Sequence, residues 1–123
     1  RGGRRRGLAG LLAAYKEVRE TIFRGHARLL TPVRPRGDNA GWSALQITAG
    51  EEHLLFAYRL DDGAERRRFP LAEVRREARY AVDAVGGGAA ARTVAGADLA
   101  RDGIEVAVDR RYDARVLRIR PAR

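Results

Sequence analysis

The sequence predicts a mainly β protein, an antiparallel β-sandwich preceded by one N-terminal amphipathic α-helix. Three observations predict it. The apolar residues of the opening stretch recur at three- and four-residue spacing, and from His26 onward the period changes to two. The rest of the chain divides into about six to eight short strand-like runs at regular spacing. The stretch from Gly41 to Leu60 holds the largest concentration of β-type hydrophobes, so it reads as the heart of a sheet.

Arg1 to Gly7 is basic and glycine-rich, a tail that frays. Leu8, Leu11, Leu12, Tyr15, Val18, Ile22 and Phe23 then form one stripe of a helix from about Leu8 to Phe23, with Gly25 as its stop. Arginines ahead of Leu-Ala-Gly-Leu-Leu-Ala-Ala imitate a signal peptide. The apolar run is short, however, lacks a small-x-small cleavage site and continues its period through charged residues.

His26 to Leu30 reads as a strand that Thr31 to Asn39, with two prolines and Gly-Asp-Asn, cannot extend. The central hairpin follows, turning at Ala49-Gly50-Glu51. In its first strand Leu45 and Ile47 share one face, Trp42 and Ala44 the other. In its second, Leu54, Phe56, Tyr58 and Leu60 lie opposite Leu55 and Ala57. A strand apolar on both faces is expected at the centre of a sheet, covered on both sides.

Asp61-Asp62-Gly63 is a turn, and Arg66 to Phe69 an edge strand with arginines against edge pairing. Pro70 to Glu77 reads either as a helix with Pro at its first position or as a loop with one helical turn. Tyr80 to Val85 is a strand, Gly86-Gly87-Gly88 a loop and Thr93-Val94 a short strand. Gly96 to Gly103 reads as a tight turn around Asp98-Leu99. Ile104 to Asp109 is a half-buried strand, and Ala114 to Arg120 the last, ended by Pro121.

A length of 123 residues suits one domain. It excludes a (β/α)₈ barrel, which needs roughly 200 residues or more. With no Cys, the chain has no disulfide framework and no thiolate chemistry; His26 and His53 lack ligand spacing, so no metal or other cofactor is expected. The net charge of +9 raises nucleic acid as a partner. Yet Lys16 is the only lysine in an Ala- and Gly-rich chain, which fits a GC-rich coding bias and argues against that reading. No segment is long enough to span a membrane, so no membrane partner is expected. The first residue is Arg1, which reads as a piece of a longer chain.

Catalytic chemistry finds little footing. Glu51-Glu52 and Asp61-Asp62 are adjacent pairs in turns, and neighbours in a strand point to opposite faces. Ser43, the only serine, has no Gly-x-Ser-x-Gly elbow, and neither histidine is tied to it. Gly86 to Gly88 precedes a β pattern, not the helix a phosphate loop requires. Arg36-Gly37-Asp38 matches a cell-adhesion tripeptide that means little in so Arg- and Gly-rich a chain. Trp42, Phe56, Tyr58 and Tyr80 are core candidates that could instead stack on sugar. The carbohydrate contact singled out is Trp42 with Asp38 and Asn39 of its flanking loop.

An ordered series runs along almost the whole chain: Tyr15-Lys16-Glu17-Val18-Arg19, Ile22, Gly25, Arg28-Leu29-Leu30, Asp38-Asn39 and Trp42. Leu55 to Leu60, Ala78 to Val82, Gly96-Ala97-Asp98-Leu99, Gly103-Ile104 and Val116 to Ile119 continue it. This series resembles the C-terminal end of the family 36 glycoside hydrolases, the melibiase-like bacterial α-galactosidases. Ala95, where the family often has Ser, and the Arg- and Pro-rich loop from Pro32 to Arg36 depart from it. The resemblance implies a Greek-key-like sandwich over 26–123, preceded over 1–25 by a tail and the last helix of a missing barrel. It implies that both catalytic aspartates lie in that barrel, so none maps onto this chain. The implied partner is the barrel itself, with pairing of copies through the Leu8 to Phe23 helix as a further expectation.

Overall fold

The computed structural model describes residues 12, 13, 15, 16, 18–32, 37, 40–86 and 91–122. The basic tail, Leu8 and Leu11 of the stripe, Asp38, Asn39, Gly87 and Gly88 lie outside the described residues. Helical residues from 12 to 24 form α1, which Gly25 ends by donating its N–H to the Ile22 carbonyl (3.3 Å). Eight strands follow: β1 (His26–Leu29), β2 (Trp42–Ala49), β3 (Glu52–Arg59), β4 (Arg66–Phe69), β5 (Arg79–Ala84), β6 (Arg92–Ala95), β7 (Ile104–Ala107) and β8 (Asp113–Pro121). A second helix, α2 (Gly96–Arg101), separates β6 from β7.

All named strand pairs are antiparallel. Six strands form one sheet in the order β1-β2-β3-β8-β5-β6, and β4 with β7 form a two-stranded second layer. The central hairpin has the expected register: Leu45 faces Phe56 and Ala44 faces Ala57 across β2 and β3. β3, apolar on both faces, sits inside the sheet between β2 and β8. Its inner face gives Leu55 and Ala57 to the main core, which Trp42, Ala44, Tyr80, Val82, Leu117 and Ile119 share with Phe69, Ile104 and Val106 of the second layer. Its outer face buries Leu54 beneath Val18 of α1, together with Ile47, Val85 and Val116.

Two expectations are corrected. Gly96 to Gly103 is not a tight turn: a six-residue helix forms there, because Leu99 is drawn fully into the core and the stretch must coil to deliver it. Pro70 to Glu77 holds no helix. Leu71 drops into the core, its N–H donating to the Leu99 carbonyl at 3.0 Å, and this anchoring leaves the segment irregular. Both segments fill what the narrow second layer leaves open over the wide sheet.

Candidate functional site

The aromatic residues do not make one platform. Trp42 and Tyr80 point inward, while Phe56 and Tyr58 share the outer face with Leu45. Trp42 is 0% exposed and packs against Phe69 at 5.9 Å between ring centroids. The carbohydrate contact expected at Trp42 is therefore corrected: its ring is core and presents no face to a sugar. Phe56, expected in the core, is half-buried on the outer side.

The acidic pairs are separated into structural tasks. Glu51 meets Arg75 at 3.1 Å, Asp61 meets Arg111 at 3.3 Å, and an Asp62 oxygen accepts the Ala64 N–H at 2.8 Å to close its turn. Ser43 lies on the outer face opposite Tyr58, whereas His53 lies on the inner face opposite Thr48. Strand alternation thus keeps the serine and this histidine on opposite sides of the sheet. Among the described residues, no group of three or more His, Cys, Asp or Glu has the arrangement of a metal site.

Two polar clusters went unforeseen. On the inner face the Gln46 amide clasps the backbone of Ala72, donating at 2.8 Å and accepting at 3.0 Å. Beside it Thr48 Oγ1 lies 2.8 Å from Nδ1 of fully buried His53. Burial pushes the His53 pKa down, opposed by the nearby Glu73 charge. At the sheet edge Glu73 meets His26 at 2.8 Å and Arg28 at 3.8 Å, and the His26 hydrogen bond holds its carboxyl below the usual range. Glu73 takes φ +63°, unusual for a residue with a side chain. These groups meet across dozens of residues of sequence, so no local signal could have paired them. Both clusters pin the 71–78 segment to the sheet; neither joins a nucleophile to a base.

An open cleft of about 320 Å³ lies between α2 and the second layer, lined by Arg68, Arg92, Asp98, Asp102 and Glu105. Its charged groups are committed within the chain. Arg68 donates to the Gly103 carbonyl at 3.0 Å, and Arg101 pairs with both Asp98 and Asp102.

The largest unusual surface is apolar. α1 seats Val18, Thr21 and Ile22 on the sheet, and its other flank is open, with Leu12 and Tyr15 exposed and Phe23 78% exposed. At 100° per residue these three lie roughly 60° to 140° around the helix from Val18. The opening helix is thus apolar on two flanks and satisfied on one. Beside it the outer face leaves Leu29 and Tyr58 exposed and Leu45 and Phe56 half-buried.

No protein-family model and no curated protein matches the sequence. The fold does match solved structures. The GH36 α-galactosidase AgaA from Geobacillus stearothermophilus, a variant in complex with raffinose, superposes with a TM-score of 0.65 at 17% identity, over 90% of this chain and 15% of that one. Another AgaA variant, bound to 1-deoxygalactonojirimycin, gives 0.62 at 20% identity over 90% and 15%. The α-galactosidase from Lactobacillus brevis gives 0.65 at 15% identity over 91% and 16%. This chain therefore has the fold of a part of those enzymes and spans about one-sixth of their length.

Proposed function

We propose that this chain is the non-catalytic C-terminal β-sandwich domain of an α-galactosidase-like glycoside hydrolase. The observation that carries the reading is the lopsided coverage: nine-tenths of this chain is reproduced within 15% of much longer α-galactosidase chains. The doubly apolar helix supports it, because a helix with two apolar flanks belongs between two bodies. On this reading residues 1–25 end a catalytic barrel and 26–123 brace it. The barrel would supply both aspartates for the retaining, double-displacement removal of terminal α-galactose. The sandwich would contribute rigidity, not chemistry.

The test compares two proteins. The full-length product of the gene is expected to release nitrophenol from p-nitrophenyl α-galactoside, and the 123-residue chain is expected to release none. Turnover by the short chain would overturn the assignment. So would an upstream sequence lacking barrel strands that end in aspartates.

A further inference from the structure

The outer side of the six-stranded sheet has a covered end and an open end. At the covered end Ile47, Ala49 and Leu54 are buried, with α1 lying over Ile47 and Leu54. At the other end Leu29, Leu45 and Phe56 form a cross-strand row, followed by Tyr58 two residues further along β3. Leu29 is 45% and Tyr58 47% exposed. Rows on one face of a sheet lie about 6.8 Å apart, and packed helices lie about 8–10 Å apart. The open end is therefore a floor of the right width for one more helix, and α1, about 10–12 Å across, stands beside it as a wall.

What fits there is narrowed by charge. Arg19 lies at roughly 100° from Val18 on α1, in the middle of the open Leu12, Tyr15 and Phe23 flank. It is exposed and has no ion-pair partner among the described residues. In the solved chains that share this fold, some 85% of the polypeptide lies outside the matched part.

We propose that Leu29, Leu45, Phe56 and Tyr58, with the Tyr15 and Phe23 flank of α1, dock an amphipathic helix from the remainder of the parent chain, one whose apolar stripe carries an acidic residue facing Arg19. The inference rests on the domain reading above and specifies its contact surface. The occupant is a helix because a (β/α)₈ barrel presents an outer ring of helices. The opposite side of the molecule, where β4 presents Arg66 and Arg68, is left to solvent.

The experiment places Phe23→Asp, Arg19→Glu and Tyr58→Arg in the full-length chain and in the 123-residue chain, with Arg66→Glu on the far layer as control. The first three are expected to lower the thermal midpoint of the full-length protein by about 5 °C. The short chain should move by less than about 2 °C, because these side chains are exposed there. Arg66→Glu should change neither. If the full-length midpoint is unmoved while wild type hydrolyses galactoside, the docking surface is wrong and the domain reading stands. If wild type hydrolyses nothing, the domain reading falls first. An equal loss in both chains would show a folding defect and overturn the surface assignment. A dimer of the short chain that Phe23→Asp dissociates would give the patch to a second copy and overturn it too.

Discussion

His53 shows what burial does to a group that titrates near neutrality. Its ring is fully buried, and its Nδ1 sits within reach of the Thr48 hydroxyl and the Gln46 amide. With Nδ1 accepting those bonds the ring proton resides on Nε2, which has no hydrogen-bond partner. A second proton would turn the acceptor into a donor facing Gln46 Nε2, and would place a charge where water cannot reach. Both effects favour the neutral ring, in agreement with a pKa lowered mainly by burial. The sign follows by linkage. Because the folded value lies below the unfolded 6.5, the unfolded chain binds the proton more readily as pH falls. Stability is therefore full above pH 6.5 and is lost as the pH drops through the folded value. Urea midpoints should be level from pH 8 to 7 and decline from 6.5 to 5. In His53→Asn, which retains an acceptor, most of that decline should vanish; a decline of equal size in the variant would refute the assignment. His26 stays in both proteins, so its own titration cancels.

At the scale of elements, the segments that sequence periodicity described well are those whose neighbours in space are neighbours in sequence. The β2–β3 hairpin needs only its alternation and Gly50, which takes φ +62° at the turn, and its register was legible in full. The α2 segment is the contrary case. Gly-Ala-Asp-Leu looks like a turn locally, but its shape is imposed from afar: Leu99 enters the core, and the Gly96 N–H donates to the Ala78 carbonyl at 2.7 Å. A Cβ on Gly96 would lie 1.8 Å from the Arg75 carbonyl oxygen. Two effects oppose each other in Gly96→Ala. Helix propensity favours alanine by about 1 kcal/mol. Overlap with a backbone atom that cannot swing away costs about 1–3 kcal/mol or more. The overlap should win, so Gly96→Ala should lower the urea midpoint; an unchanged or raised midpoint would show that the 75–78 backbone yields freely. Trp42 was misplaced for a related reason. The glycine-bearing loop before it suggested a surface position, while the second layer that covers it, β4 with β7, is brought over from 24 or more residues away.

For the whole molecule, the fold class and the family likeness were legible, because both depend on the order of elements. The layer assignment was not, because nothing in a four-residue arginine-rich run announces that β4 leaves the main sheet to pair with β7. That division makes stability uneven. β3 and β8 pair on both edges, and β3 is packed from above by α1 and from below by the second layer. β4 and β7 pair only with each other, over four residues, and hold to the rest through Phe69, Ile104 and Val106. A two-stranded ribbon has little stability of its own, so its persistence depends on that one apolar face. Opening it exposes three large side chains, whereas opening β3 requires the whole sandwich to come apart. The two layers should therefore exchange amide hydrogens on different scales. In β3 and β8, amides that donate within the sheet should exchange only through global unfolding, with a urea dependence matching that of the equilibrium transition. Those of β4 and β7 should exchange at least about tenfold faster, by a local opening with little urea dependence. Equal protection across both layers would mean that the ribbon and the six-stranded sheet unfold as one unit, and that the core between them, not strand pairing, sets the stability of each.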